Sequence, residues 1–296
     1  MSLPSFNIQT FDELLEEYAR ERTDPSWSPV RLGWGSIDAD LRGVGAGQVL
    51  GVAARATVGK TWALASIAQN FTERRDSGLL ILSLEQPGIE WTERQFAIYT
   101  GVAPETVETW AREKELESHV GDFCECFANV RVVEDGVSLQ ELPGLLRATR
   151  DKLGVPLRLV LIDYLGLVGM NGANAYETAS SLGKGLKIAA KSEKIAIIVA
   201  MQLSRAGGDG SEPVSMAMLR DSGVLEESLD FLLGCWRPGK AMSLSPSEAM
   251  ALHDVMRVAV LKNRKGRDGR IVDLLFDSES RRLSEPTDPF VAELEP

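Results

Sequence analysis

Histidine and cysteine are scarce in this chain of 296 residues, which holds two of the first and three of the second. Two histidines, His119 and His253, argue against a zinc site built on imidazoles and a triad that depends on one. Three cysteines (Cys124, Cys126 and Cys235) form no disulfide framework, which points to a reducing, cytoplasmic setting. Long apolar runs are also missing. Residues 195–201 are among the longest such runs, far below the ~18 residues a membrane span needs. The N-terminal residues lack the basic start and apolar stretch of a secretory signal. Positive charge is in deficit, with 32 Lys+Arg against 43 Asp+Glu and a net charge of −11. Such a chain does not coat nucleic acid by bulk electrostatics, so an anionic partner must be held by local bases or backbone amides. What remains is a globular composition, 44% apolar and 25% charged, with enough chain for a sizeable core.

Thr10 and Glu13 have the spacing of a capping box, and Phe11, Leu14, Leu15 and Tyr18 follow on one helical face. The Pro-containing stretch 23–30 reads as a linker, so this helix is expected to stand off, its stripe packing on its own domain or on a neighbouring subunit. Beyond it, short apolar runs at 49–53, 79–82, 130–133, 159–162 and 195–200 alternate with helical periodicity at 62–73, across 89–127, at 139–150 and at 177–191. Buried strands spaced by helices predict an α/β domain with a mostly parallel sheet covered on both faces. Pro143 sits awkwardly inside the 139–150 pattern. Runs at 231–236, 255–261 and 271–276 predict further strands, the last two forming an antiparallel hairpin. The division expected is an N-terminal helix and linker (1–30), one α/β domain (31–284) and a frayed acidic tail (285–296).

Ala54, Arg55, Ala56, Thr57, Val58, Gly59, Lys60 and Thr61 lie directly after a predicted strand and directly before a helix. That is the setting of a phosphate loop, in which backbone N–H groups and the helix N-terminus face phosphate oxygens. Gly59 permits close approach, Lys60 reaches the β- and γ-phosphates of ATP, and the Thr61 hydroxyl faces Mg²⁺. Ala54 stands where the simplest pattern has Gly. Asp163 ends a buried strand, where an acid has no packing reason to be, and suits the metal shell. Glu85 follows another strand end and is placed to orient and deprotonate a water; its bland alternative is an acid favouring the next helix. Gln202 follows the strand at 195–200 and either senses the γ-phosphate or satisfies a loop. The bases between Arg257 and Arg270, read alone, make a solvated hairpin tip.

Taken in order, ARATVGKT, SLEQP, LIDYLGLV, AMQLSR, LRDSG and KNRKG resemble the RecA-fold motor domain of DnaB-type replicative hexameric helicases. The resemblance covers roughly 30–283 and implies a RecA-like P-loop ATPase core with a C-terminal antiparallel hairpin. It implies that Lys60, Thr61, Asp163 and Glu85 bind phosphate, bind metal and act as base, and that Gln202 couples nucleotide state to a DNA-facing loop. It makes Lys262 and Arg264 a pair reaching the γ-phosphate held by a neighbouring subunit, and the N-terminal helix a linker helix docking on that neighbour. The partners it implies are single-stranded DNA, other copies of the chain in a hexamer, and loader or replication proteins. Two loops implied to face the channel, 166–176 and 204–214, hold no Lys or Arg apart from Arg205, which leaves phosphate contacts there to backbone N–H groups.

Two other readings compete with a DNA motor. One is a RecA-like ATPase with a protein client, and the other a nucleotide-binding assembly module that hydrolyses little. The complete set Lys60, Thr61, Glu85 and Asp163 speaks against the second. Trp62 and Trp91 read as core residues, and Arg220, Asp221 and Ser222 as either site residues or a helix cap.

Overall fold

Strand β1 (Val49–Ala54) is buried along its whole length. Its alternate side chains enter two different cores, Leu50, Val52 and Ala54 one and Val49 and Ala53 the other, because successive residues of a strand face opposite ways. The computed structural model describes residues 9–23, 28–163, 175–203, 209–222 and 228–286, with backbone alone for 21, 175–181 and 220–222. The remaining strands are β2 (Gly78–Ser83), β3 (Val130–Val133), β4 (Leu157–Asp163), β5 (Ala196–Gln202), β6 (Phe231–Trp236), β7 (Val255–Asn263), β8 (Ile271–Phe276) and β9 (Leu283–Ser284). They form one sheet in the order β3-β2-β4-β5-β1-β6-β7-β8-β9. The six strands from β3 to β6 pair in parallel, and β7, β8 and β9 continue antiparallel. The expected fold class is thus the observed one, with a ninth short strand added.

Helices cover both faces. On one, α2 (Gly35–Leu41) and α3 (Lys60–Thr72) bring Ile37, Leu64, Ile67 and Phe71 onto Leu50 and Val52. On the other, α7 (Leu142–Asp151) and α8 (Ala175–Ser192) bring Leu142, Leu146, Leu182 and Leu186 onto Val49, Val160 and Ile197. Each fully buried leucine stabilises the fold by about 1.5–3 kcal/mol relative to an exposed one. A smaller aromatic cluster joins α4 (Gly88–Thr100), α5 (Pro104–Glu113) and α6 (Gly121–Cys126) around Phe96, Trp110 and Phe123. His119 stacks on Trp110 at 3.9 Å and takes no part in any site.

Pro143 creates no break, because α7 begins at Leu142 and a proline in the first turn removes only an N–H that has no helical partner. The N-terminal helix α1 (Phe11–Thr23) carries its capping box, with Thr10 N donating to Glu13 Oε2 at 2.7 Å and Glu13 N to Thr10 Oγ1 at 3.3 Å. Its apolar stripe does not pack on its own domain. Phe11 is 85% and Leu15 64% exposed, while Glu17 on another face pairs with Lys194 of the body at 2.6 Å. The acidic tail is held at its first residue, where the Glu285 carboxylate accepts the Ser36 N–H of the first turn of α2 at 2.9 Å. The rest of the tail, from 287, lies outside the described residues, as do 24–27 of the linker.

The basic stretch from Arg257 to Arg270 is not a freely solvated tip. Arg257 pairs with Asp273 at 2.8 Å, Arg270 pairs with Asp40, and Lys265 donates to the Gly43 carbonyl at 2.9 Å. No helix among the described residues is long and apolar enough to cross a membrane.

Candidate active site

The turn after β1 uses left-handed backbone at Thr57 (φ 62°) and Gly59 (φ 117°). Ala54 needs no such freedom, because it is the last, fully buried residue of the strand and its carbonyl accepts the Leu203 N–H at 3.0 Å. Alanine therefore serves where the simplest pattern has glycine. Gly59 is different. A Cβ there would lie 2.8 Å from Phe276 Cζ and 3.0 Å from Met256 Cε, both of them core side chains. Its bare backbone starts α3, so the helix N-terminus and its free N–H groups open at the C-terminal end of β1.

Lys60 is buried, and its Nζ donates to the Arg55 carbonyl at 3.3 Å across the turn. Burial lowers its pKa, against the opposing pull of Asp163 and Glu85. Asp163 ends β4 and is only 3% exposed. Burial raises its pKa, with Glu85 adding to the rise, while a hydrogen bond from the Thr61 hydroxyl and the nearby Lys60 and Arg94 oppose it. Burial thus works against the charge of both groups, a feature common to sites that bind charged ligands. Glu85, solvent-exposed, is fixed through its backbone, because Leu84 N and Glu85 N donate to the Asp163 carbonyl at 2.8 and 3.3 Å. Gln202 is the register partner of Ala54 on the neighbouring β5. Lys60, Thr61, Glu85, Asp163 and Gln202 thus converge on one end of the sheet.

Asp163 Oδ1 is buried with no hydrogen-bond partner among the described residues. Beside the Thr61 hydroxyl it offers the hard oxygen donors that suit a magnesium ion carrying water and phosphate oxygens as its other ligands. No cluster of three or more His, Cys, Asp or Glu side chains able to hold a metal occurs among the described residues. A cation here would depend on Thr61, Asp163 and the nucleotide itself.

Seven further residues lie at or beside the loop, and the sequence assigns none of them to it. Arg94 of α4 lies over the Trp62 ring at 4.9 Å, and its Nε and Nη1 are buried without a hydrogen-bond partner among the described residues. Burial lowers its pKa while Asp163 supports its charge. Two unsatisfied donors on a buried cation beside a phosphate loop are poised for an anion. Trp62, read from sequence as core, packs against the larger core and also lines a cavity of about 350 Å³ that opens beside Thr57, Val58 and Gly59. Arg237 lines the same cavity, its guanidinium over the buried Phe276 ring at 4.7 Å. Lys240 donates to the Thr57 carbonyl and hydroxyl, both at 2.9 Å, and ties the 3-10 turn Pro238–Lys240 to the phosphate loop. His253 also lines this cavity. Gly210, at φ 93°, brings the segment after β5 against the loop, where a Cβ would lie 2.8 Å from Val58 Cγ2.

Lys262 and Arg264 do not join this group. Lys262 is paired with Leu232, and Arg264 N donates to the Asp230 carbonyl at 3.1 Å, just before β6 begins. Asp230 N in turn donates to the Val49 carbonyl, at the start of β1. At about 3.3 Å per residue, the length of β1 separates Arg264 from the loop of its own chain by roughly 17 Å. Residues 164–174 and 204–208, with most of the two expected channel loops, lie outside the described residues, as do the side chains of Arg220, Asp221 and Ser222. Cys235 is buried beside the site with its thiol pushed up to about 12, so it is inert; Cys124 is exposed and Cys126 bonds Thr72 at 3.7 Å.

The profile of the DnaB-like helicase C terminal domain matches residues 30–285. Among curated proteins, the chain is 24% identical over 283 residues to the replicative DNA helicase DnaC of Bacillus subtilis (strain 168), covering 93% of this chain and 60% of that protein. It is 24% identical over 281 residues to the replicative DNA helicase DnaB of Geobacillus stearothermophilus, again 93% and 60%. The chain thus spans about three-fifths of the length of these relatives. Among solved structures, an isolated ATPase domain superposes with a TM-score of 0.79 at 24% identity, covering 95% of this chain and all of that one. A DnaB-like replicative helicase, solved in a study of its interactions with primase, gives 0.76 at 23% identity, with 95% and 68% covered.

Proposed function

The chain belongs to the DnaB-like helicase C-terminal domain family, and from that premise we propose that it is the ATP-hydrolysing motor of a helicase that moves along single-stranded DNA as a ring or filament during replication. The observation that carries this reading is the convergence of Lys60, Thr61, Asp163 and Glu85 at one end of the sheet, with Arg264 at the other. In it, the N–H groups from Thr57 to Thr61 and the N-terminus of α3 cradle the phosphates, while the Arg237 guanidinium takes the base. Glu85 accepts a proton from the attacking water as a bond forms to the γ-phosphorus and the bond to the β-phosphate oxygen breaks. Lys60 and Arg94 hold charge developing on the γ-phosphoryl oxygens. Thr61 and Asp163 would hold a magnesium ion, which would supply charge neutralisation to the bound phosphates.

Arg264, out of reach of its own loop, acts on a second copy's nucleotide, and a fixed guanidinium suits that role better than Lys262 beside it. Hydrolysis then requires assembly, and the exposed stripe of α1 gives one copy an apolar surface to lay against the next. Gln202, beside Ala54 at the root of the loop, passes the state of the γ-phosphate to the segment that follows β5.

Nucleotide binding and turnover measured together test the assignment. Lys60→Ala should lose both. Glu85→Gln should bind ATP normally and lose turnover, and full turnover in that variant would remove Glu85 as the base.

A further inference from the structure

Arg264 is not a loose finger. Its backbone N–H is bonded to the Asp230 carbonyl at 3.1 Å and its Nη1 reaches Asp230 Oδ1 at 3.2 Å. Asp230 is far more enclosed than its partner, with side-chain exposures of 7% against 48%. Its other oxygen, Oδ2, accepts the Val49 N–H at 2.8 Å and the Lys187 ammonium. Lys187 belongs to α8, the helix that follows β4 in the chain, and also donates to the Gly47 carbonyl at 2.7 Å.

The two carboxylate oxygens thus serve different partners. Because Lys187 and Val49 N satisfy Oδ2, Asp230 stays paired when the Arg264 guanidinium turns away, and no bare buried charge is left behind. The contact Arg264 gives up is half-exposed, hence weak, and a phosphate is a stronger partner for a guanidinium. The backbone bond from Arg264 N does not depend on that exchange and keeps the base of the side chain in place.

We propose that Asp230 is the positioning residue for Arg264: it holds the guanidinium at the rim of the sheet, ready for transfer to the γ-phosphate bound by a second copy, and links it through Lys187 to α8. The proposal rests on the reading of Arg264 as acting in trans. Asp230 touches no nucleotide in this scheme. Its effect is confined to how well its own subunit serves a neighbour's site.

The test uses the full chain and mixed assemblies. Asp230→Asn keeps the shape and removes the charge, and should lower kcat for ATP by about tenfold to a hundredfold, as misplacement of a reacting group does. It should leave KM, nucleotide affinity and oligomer size unchanged. Titration with Lys60→Ala protein should then restore turnover, because those subunits have dead sites but present an intact Arg264 to the Asp230→Asn sites. Arg264→Ala mixed with Lys60→Ala is the control. Wild-type kcat in Asp230→Asn would overturn the proposal, as would recovery in the control without recovery for Asp230→Asn. Absence of recovery in the control would overturn the shared site, and this proposal with it. Should Asp230→Asn fail to fold, Asp230→Asn combined with Lys187→Gln removes both buried charges, and its mixtures are read in the same way.

Discussion

Replacing Arg94 by methionine separates a binding role from a structural one, because the two predict opposite patterns. Arg94 leaves Nε and Nη1 buried without hydrogen-bond partners among the described residues. Unsatisfied buried donors of this kind cost about 1–3 kcal/mol. Its position 4.9 Å over the Trp62 ring returns about 0.5–2 kcal/mol. That cost is borne by two donors and exceeds the return, and methionine fills a similar volume against Trp62, so the melting temperature of the nucleotide-free protein should hold or rise. Loss of a charge-assisted hydrogen bond to phosphate, about 1.5–3 kcal/mol, should reduce kcat/KM for ATP by roughly 10- to 150-fold. The assay is thermal unfolding of the free protein beside steady-state hydrolysis, with the oligomer size matched. A melting temperature lowered by about 10 °C or more, with kcat/KM unchanged, would show that Arg94 supports the α3–α4 contact and not the nucleotide.

Two pH-linked predictions follow from the charges the fold buries. The Asp163 carboxyl has its pKa raised, chiefly by burial. The folded state therefore holds that proton more tightly than the unfolded chain, and stability falls as pH rises through the carboxylate range. Asp163→Asn should accordingly raise the melting temperature of the nucleotide-free protein at pH 7 and abolish hydrolysis; equal melting temperatures at pH 7 would contradict the sign. Lys265, near Arg22 and Arg42 and over Phe231, has its pKa lowered from 10.5 to about 8, mainly by burial. Below about 8 the penalty on the charged folded form is complete, and above 10.5 it is gone. Denaturant titrations should show wild type gaining stability relative to Lys265→Met between those values, and a flat difference would refute the shift.

The parts of the site that sequence reveals are those encoded locally. Residues 54–61 are a strand end, a turn and a helix start within one short stretch, and Asp163, Glu85 and Gln202 are each marked by standing at or just beyond a buried apolar run. The parallel sheet was legible for the same reason, since each central strand is nearly all apolar and each intervening segment has helical periodicity. Arg94 carries no such mark, and Arg237 and Phe276, which do stand at strand ends, have no local pattern that links them to the loop. They reach the loop because β1 lies between β5 and β6 and because α4 packs on α3, which are facts of tertiary order. Trp62 shows the limit of periodicity, which places it on a helix against the core but does not reveal that it also lines the cavity. The separation of Arg264 from Lys60 likewise depends on the antiparallel register of β6 and β7. The stripe on α1 is plain in sequence, yet its partner is not encoded beside it.

The most direct test of the motor reading is steady-state ATP hydrolysis with and without single-stranded DNA, at low salt, on protein whose oligomeric state is recorded in the same buffer. The reading predicts an assembled species whose turnover rises strongly with DNA and vanishes in Lys60→Ala. Assembled protein that hydrolyses ATP at the same rate with and without DNA would contradict it and favour an ATPase acting on a protein client.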